Sequence, residues 1–120
     1  MGQSYRDLVV WQHAMALVTH VYRATQRFPR EEIYGLTSQI RRAAVSVPSN
    51  IAEGQGRTSR GEFYQFLGHA RGSLYETQTQ LMVAQSLQYL AASDAEQLLE
   101  NSSTVARLLN ALMASIEPAK

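Results

Sequence analysis

The chain has 120 residues, of which 45% are hydrophobic and 18% charged, and its net charge is +1. This length suits a single domain with a real core, and the hydrophobic fraction excludes a disordered protein. The absence of cysteine excludes disulfides, thiol catalysis and cysteine-ligated metals. No apolar run reaches the roughly 20 residues that span a membrane, and residues 1–15 lack the pattern of a signal peptide. We therefore expect a cytoplasmic protein, with residues 1–120 forming one domain.

Four segments carry apolar residues three and four positions apart, the pattern of amphipathic helices that share a core. The first helix is predicted at about 8–27, with Asp7 as its N-cap. It ends at Phe28 because a residue that precedes a proline is disfavoured in the α conformation. Its predicted inward face consists of Trp11, Ala14, Met15, Val18, Val21, Tyr22 and Thr25.

The second helix is predicted at about 30–54 and contains Pro48. A proline inside a helix removes one backbone hydrogen bond and crowds the carbonyl four residues earlier, which predicts that helix two is kinked at Pro48. The apolar stripe keeps its phase across this position, so the helix is expected to continue beyond it. The stripe consists of Leu36, Ile40, Ala43, Val47 and Ile51.

Two sequences with capping-box spacing predict the starts of the third and fourth helices. Ser59 and Glu62 mark a helix at about 60–88, and Ser93 and Glu96 mark one at about 94–116. Four helices joined by short connections predict an all-α, up-down four-helix bundle. The predicted inward faces are Phe63, Phe66, Leu67, Ala70, Leu74, Thr77, Leu81 and Ala84 for helix three, and Leu98, Leu99, Ser102, Val105, Leu109, Leu112 and Ile116 for helix four.

Seven further apolar residues lie off these four stripes, more than one central seam requires. They belong either to wide core faces or to a contact between subunits, because an exposed apolar patch is costly in a monomer. Both interpretations are open at this point. The seven residues are Val9, Val10, Leu17, Val45, Tyr64, Leu87 and Leu108.

No constellation for catalysis or metal binding is legible in the sequence. The Glu-x-x-His pairs of di-iron bundles, the Gly-x-Ser-x-Gly nucleophile elbow and the phosphate-binding P-loop are all absent. His13 and His20 share one helix face without a carboxylate at ligand spacing, so they and His69 are interpreted as surface histidines. We expect no cofactor, no metal and no enzymatic activity.

Helix two also carries a polar stripe that includes Asn50, Glu53 and Arg57. Arg57 follows Glu53 by four residues, which favours an ion pair along the helix. The stripe is either a solvated face or a groove in which Asn50 and Glu53 hold a ligand near Pro48. Both interpretations are kept here.

The basic residues are unevenly distributed, and ten of the eleven are arginine. Residues 1–72 carry a net charge of +4, whereas residues 73–120 carry −3. Arginine suits phosphate recognition because its planar group presents a fork of donors. Opposite charges in the two parts of the chain equally suit attraction between the subunits of a head-to-tail ring.

Several segments resemble a bacterial family of four-helix-bundle proteins. The most specific is the run SQIRRAAVSVPSNIAEG at residues 38–54, and YRDLVVWQ at residues 5–12 supports it. Shorter similarities are Phe28-Pro29 and Tyr34-Gly35-Leu36. Members of this family are encoded within intervening sequences of some bacterial 23S ribosomal RNA genes, and the accessory variability protein of diversity-generating retroelements is related to them.

The resemblance implies an all-α fold, assembly into a homopentamer and a role in nucleic-acid binding, without enzymatic activity. In the retroelement protein, a homopentameric barrel of four-helix bundles binds nucleic acid and works with a reverse transcriptase. Arg41 and Arg42 match the family's paired basic position on helix two, and Arg57 matches the basic residue after the Glu-Gly segment. The departure is in charge, because the retroelement members are strongly basic and this chain is nearly neutral.

Together, the charge of residues 1–72 and the resemblance predict a small, non-enzymatic homo-oligomer that binds structured RNA or DNA through arginines of the first two helices and the following loop. The resemblance implies that this oligomer is a pentamer. A subunit of charge +1 predicts weak, salt-sensitive binding unless a ring repeats one arginine patch. The alternative is a protein–protein adaptor or scaffold ring with no nucleic-acid role. The candidate nucleic-acid-binding residues are Arg23, Arg27, Arg30, Arg41, Arg42, Arg57 and Arg60, and the candidate polar groove is Asn50 and Glu53.

Overall fold

Four helices contain most of the chain in the computed structural model, which describes residues 4–118. They are α1 (Val9–Thr25), α2 (Leu36–Gln55), α3 (Arg60–Ser86) and α4 (Ala92–Ile116). α1 contacts α2 and α4, and α3 contacts the same two neighbours, so the four helices surround one core. The predicted all-α four-helix bundle is confirmed, and the described residues form no strand. No helix in this part of the chain is long and apolar enough to cross a membrane.

The start of α1 differs from the prediction. The preceding residues, Tyr5–Asp7, form a 3₁₀ turn that is capped by Ser4, whose hydroxyl accepts a hydrogen bond from the Arg6 amide at 3.1 Å. Asp7 therefore lies inside this turn, and Leu8 occupies the N-cap position of α1 without a side-chain hydrogen bond. The predicted Asp7 cap is wrong because a separate turn precedes the helix.

α1 faces the core with a stripe that is rotated from the predicted one. Met15 and Tyr22, predicted to face inward, are 42% and 41% exposed. The helix carries two apolar stripes, one residue and therefore about 100° apart, and its packing between α2 and α4 buries the other one. The buried stripe consists of Val10, Ala14, Leu17, Val21 and Thr25.

The seven apolar residues off the predicted stripes divide between the core and the surface. Val10 and Leu17 are buried, and Tyr64 and Leu108 are half-buried against the core. Wide core faces therefore explain four of the seven. The residues that stay exposed are Val9, Val45 and Leu87.

Residues 30–35 were predicted to begin helix two, but they form a 3₁₀ helix at Arg30–Glu32 followed by a hydrogen-bonded turn, and α2 begins at Leu36. Glu32 Oε1 accepts a hydrogen bond from the Leu36 amide at 2.9 Å, so the glutamate satisfies the first turn of α2 from outside the helix. Gly35 permits this approach, because a Cβ at that position would lie 2.7 Å from Glu32 Oε1.

α2 is continuous across Pro48, which is buried. The kink at this residue stays a prediction. Near its end, α2 approaches α3 so closely that a Cβ on Gly54 would lie 2.6 Å from the Cβ of Phe66. The predicted inward residues of α2 that are fully buried are Ile40, Ala43, Val47 and Ile51.

The start of α3 confirms its predicted cap, and the start of α4 does not. The Glu62 amide donates to Ser59 Oγ at 3.1 Å, as the capping box predicts. α4 begins at Ala92, with Ala91 as N-cap, so Ser93 already lies inside the helix. The side chain of Leu90 is buried directly before the N-cap, and α4 therefore begins two residues earlier than the capping box predicts.

α3 ends at Ser86, two residues before the predicted boundary. Gln88 adopts a positive φ of 63°, and the Tyr89 amide donates to the Ala84 carbonyl at 2.9 Å. This left-handed residue, with its six-to-one hydrogen bond, is a Schellman motif that terminates the helix. The chain then turns directly into α4.

Candidate functional site

The up-down topology places two turns at one end of the bundle and one turn at the other. Residues 26–35 and 87–91 form the two-turn end, where the Tyr89 hydroxyl donates to Glu32 Oε2 at 2.9 Å. Residues 56–59 form the single-turn end. α2 has 20 residues, so about 30 Å of helix separates the two ends.

The seven candidate arginines do not lie on one surface. A charge at one end of α2 is separated from the other end by more than the Debye length of about 8 Å at physiological salt, so the two groups act independently. The two-turn end has Arg23, Arg27, Arg30 and Arg41, the single-turn end has Arg57 and Arg60, and Arg42 lies on α2 between the ends.

Arg41 is engaged within the fold. Its Nε donates to Thr25 Oγ1 at 2.8 Å, and its Nη2 donates to the Tyr22 carbonyl at 3.3 Å. The guanidinium carbon also lies 4.6 Å from the centroid of the Tyr22 ring. A cation at the last turn of α1 stabilises the negative end of that helix. Arg41 therefore fastens α2 to α1, with two of its five N–H donors bonded within the fold.

Arg57 and the two candidate groove residues also have partners within the fold. Arg57 Nη2 lies 2.9 Å from Glu53 Oε2, which confirms the predicted ion pair, and its guanidinium covers the Phe66 ring at 4.7 Å. Asn50 Nδ2 donates to the Ser46 carbonyl at 2.8 Å, one turn back on the same helix. Asn50 and Glu53 are thus bonded locally, and other residues line the cleft beside Pro48.

The remaining candidate arginines are available for a ligand. Arg23, Arg30, Arg42 and Arg60 have no hydrogen-bond or ion-pair partner among residues 4–118, and all four are exposed. Arg27 approaches Asp94 at 3.9 Å, but its side chain is 76% exposed, and such pairs contribute little stability. The available guanidiniums at the two-turn end are therefore those of Arg23, Arg27 and Arg30.

A groove of about 330 Å³ between α1 and α4 contains two of these arginines. The α1 side supplies His20, Arg23 and Arg27, and α4 faces them with polar side chains. This groove could not be predicted from the sequence, because only the fold brings α4 beside these residues. The signal in the sequence was the spacing of the three basic side chains along one helix face. The α4 residues that line the groove are Asp94, Gln97, Leu98 and Asn101.

Arg30 lines a second cleft, of about 250 Å³, on the other side of the two-turn end. Arg41 and Thr25 lie in its wall. Phe28, a buried residue that lines this second cleft, packs against the Tyr89 ring with centroids 5.5 Å apart. This contact holds the two turns together beneath the exposed arginines.

The carboxylate of Glu32 is the most strongly hydrogen-bonded acidic group at the two-turn end. The Leu36 amide and the Tyr89 hydroxyl both donate to it, and these bonds hold the pKa of Glu32 below its ordinary value of 4.5. The same bond to Glu32 raises the pKa of Tyr89. Glu32 is therefore charged at neutral pH, and both of its oxygens are occupied.

The histidines lie apart from one another. His20 lines the α1–α4 groove, His13 is exposed on α1, and the His69 ring packs against Phe66 with centroids 5.8 Å apart. Within residues 4–118, no three histidine or acidic side chains come close enough to hold a metal ion.

The comparisons with known proteins agree with the earlier resemblance. A family model described as 23S rRNA-intervening sequence protein matches residues 6–111, nearly the whole described chain. The chain belongs to this family. A protein of unknown function from the S23 ribosomal protein family of Bacteroides thetaiotaomicron has a similar structure, with a TM-score of 0.79. It is 21% identical, and the alignment covers 88% of this chain and 98% of that one, which shows a shared fold. No curated protein matches the chain.

Proposed function

We propose that this 23S rRNA-intervening sequence protein is a non-enzymatic, cytoplasmic homopentamer that binds structured RNA or DNA through arginines at its two-turn end. The observation that carries the proposal is the group of available guanidiniums of Arg23, Arg27 and Arg30, which the fold leaves exposed at one end of the bundle. The ribosomal-RNA context in the family's name supports a nucleic-acid ligand.

The electrostatics of one subunit explain why assembly matters for binding. Glu31 and Asp94 lie at the same end as the arginines and offset part of their charge, and the whole chain has a net charge of +1. Affinity for a polyanion grows with the number of phosphates that are neutralised. A ring of five copies repeats the patch five times on one ligand, so that several weak contacts act together.

An apolar cleft between α1 and α2 supports the assembly. It has a volume of about 330 Å³ and lies beside Pro48. Met15 and Val45, which line it, are 42% and 38% exposed, and the described chain does not cover them. Burial of such a surface in a neighbouring subunit removes apolar area from water. The other lining residues are Tyr5, Trp11, Val18, Ser49 and Ala52.

The test compares two charge-matched double variants in titrations against fluorescent hairpin RNA and duplex DNA. The double variant Arg23→Ala/Arg30→Ala removes two available guanidiniums from the two-turn end. We expect it to weaken binding about tenfold at roughly 50 mM salt and to flatten the salt dependence, because each lost phosphate contact lowers the slope by about one. The control, Arg60→Ala/Arg107→Ala, loses the same charge elsewhere and is expected to change affinity less than about twofold.

Three results would each contradict a part of this proposal. Equal loss in both double variants would show that total charge, and not the two-turn end, controls binding. No binding by the wild-type protein at the lowest salt, with its oligomer intact, would remove the nucleic-acid role and favour the scaffold ring. Light scattering in the same buffers gives the assembly, and a mass other than five times 13.4 kDa would contradict the pentamer.

A further inference from the structure

The groove between α1 and α4 has a regular register along its length. His20 Nδ1 lies 3.0 Å from Asn101 Nδ2 at one end, and Arg27 approaches Asp94 at the other. The two contacts are seven residues apart on each side, so the two antiparallel segments stay side by side over about two helical turns. Between these two contacts, the walls stand apart and leave the open volume of about 330 Å³.

The two walls differ in chemistry. The α1 wall presents the exposed guanidiniums of Arg23 and Arg27, both of which suit the oxygens of a phosphate. The α4 wall presents the neutral amides of Gln97 and Asn101, each with a donor and an acceptor, and the carboxylate of Asp94 lies beside Arg27 at one end of the groove. Ala24 and Leu98 supply apolar surface between the two walls.

The amides on the α4 wall are held in position by a short hydrogen-bond chain. Gln97 Nε2 donates to Asn101 Oδ1 at 3.1 Å. The Asn101 oxygen is thereby turned toward Gln97, and its nitrogen lies 3.0 Å from His20 Nδ1. The Gln97 oxygen and one hydrogen on each amide nitrogen remain available to a ligand.

This combination of charge, amides and shape matches a nucleotide. Side-chain amides of this type pair with the edges of nucleobases, and guanidiniums bind phosphates. The volume lies at the small end of ligand pockets, which suits one nucleotide. The paired bases of a duplex are stacked inside it and cannot insert into a concave protein surface. Unpaired bases in RNA loops splay outward and can reach such a surface.

We propose that the α1–α4 groove binds one unpaired nucleotide of an RNA loop, with the phosphate on Arg23 and Arg27 and the base edge on Gln97 and Asn101. The inference rests on the proposed nucleic-acid function and assigns it a ligand class. The arginines and the amides at the two-turn end then have different roles. The guanidiniums bind any phosphate backbone, and the amides add affinity only where a base is unpaired.

The test uses two RNA probes, a hairpin with a loop of about eight nucleotides and the blunt duplex of the same stem. The double variant Gln97→Ala/Asn101→Ala keeps every arginine. We expect it to lose about tenfold in affinity for the hairpin and less than about twofold for the duplex, because base contacts carry discrimination of this size. The matched control is Gln65→Ala/Gln85→Ala, which removes two exposed amides from α3 and is expected to leave both affinities unchanged.

A second measurement uses the wild-type protein, so that it does not depend on any variant. Nitrogen-15 spectra are recorded with adenosine monophosphate and with inorganic phosphate. The nucleotide is expected to shift the side-chain amide signals of Gln97 and Asn101, and inorganic phosphate is expected to shift only signals from the α1 wall. Equal shifts of the two amides with both additives would overturn the assignment of the base to α4.

The two proposals fail in different ways. If the wild-type protein binds neither RNA probe nor the duplex DNA of the first test, the proposed nucleic-acid function is wrong, and the groove assignment fails with it. Binding of the DNA without either RNA probe would overturn the groove assignment alone. If both probes bind and the amide variant binds the hairpin as tightly as wild type, the function stands and the groove assignment alone is overturned.

Discussion

The two ends of the bundle are held together by different kinds of contact. At the two-turn end, Tyr89 and Glu32 form a hydrogen bond across 57 positions of the sequence, and Phe28 packs on the Tyr89 ring. At the single-turn end, the Ser59 cap and the ion pair between Glu53 and Arg57 join residues three and four positions apart. A tertiary hydrogen bond and a ring contact thus join the two turns of the first end, whereas local bonds cap the helices at the second.

This difference bears on which arginines are engaged within the fold at each end. Tertiary closure of the two-turn end uses a carboxylate, a phenol and an aromatic ring, and leaves Arg23, Arg27 and Arg30 outside it. Local closure of the single-turn end uses an arginine itself, since Arg57 bonds Glu53 and covers the Phe66 ring. Arg57 at the single-turn end and Arg41 at the two-turn end thus serve stability, whereas Arg23, Arg27 and Arg30 lie around the tertiary clasp and remain available for a partner.

The largest effect is expected from Gly54→Ala, at the single-turn end. The new Cβ would lie 2.6 Å from Phe66 Cβ and 3.1 Å from Phe63 Cδ1, so α2 and α3 must move apart. We expect a loss of about 2 kcal/mol in the free energy of unfolding, measured by urea denaturation, because overpacking of a tight contact costs about 1–3 kcal/mol. Such a loss would show that this end needs close helix packing besides its local bonds.

Gly72→Ala is the matched control for Gly54→Ala. Gly72 also lies inside a helix, but a Cβ there meets no atom within 4 Å. The exchange is expected to raise stability by about 0.5–1 kcal/mol, since alanine loses less backbone entropy in a helix. Destabilisation of both variants to the same extent would contradict the packing explanation.

The next effect is expected from Glu32→Ala, which opens the clasp at the two-turn end. The change removes the acceptor for the Leu36 amide and the Tyr89 hydroxyl together, so we expect a lower urea midpoint at pH 7. In the wild-type protein, the pKa of Glu32 is lowered by folding. Its stabilising contribution is therefore complete above the ordinary pKa and is lost as the pH falls through the lowered value. The midpoints of variant and wild type are expected to converge in acid.

Glu31→Ala is the control for this pH dependence. Glu31 is the neighbouring exposed carboxylate, and no residue in the described chain donates a hydrogen bond to it. Its removal is expected to change the midpoint little at any pH. A constant difference between Glu32→Ala and wild type from neutral pH down to about pH 3 would show that the charge of Glu32 does not stabilise the clasp.

Most of the fold could be predicted from the sequence because it depends on local periodicity. The apolar stripes of α2, α3 and α4 gave the correct inward faces, and the Ser59 capping box gave the start of α3. On α1, the same rule failed. Two adjacent stripes satisfied it, and only contact with α2 and α4 decides that Leu17 is buried and Met15 exposed.

The candidate site was less predictable, because it depends on which distant residues meet. Sequence reasoning selected Arg23, Arg27 and Arg30 by residue type, and the fold leaves them available. It also selected Arg41, whose bonds to Thr25 and the Tyr22 carbonyl no spacing rule reveals. The α4 wall of the groove was missed entirely, since its amides acquire meaning only beside α1.

The smallest effects are expected from two serine substitutions, one at a helix cap that forms and one at a predicted cap that does not form. Ser59→Ala removes the acceptor for the Glu62 amide at the single-turn end, and we expect a loss of about 1 kcal/mol in unfolding free energy. Ser93, like Ser59, precedes a glutamate by three residues, but it lies inside α4 at the two-turn end and not at the N-cap. The expected effect of Ser93→Ala is below about 0.5 kcal/mol in either direction, since alanine is at least as good a helix former as serine. A comparable loss in both variants would mean that α4 also uses its capping box in solution. The two ends of the bundle would then not differ in how their helix starts are capped.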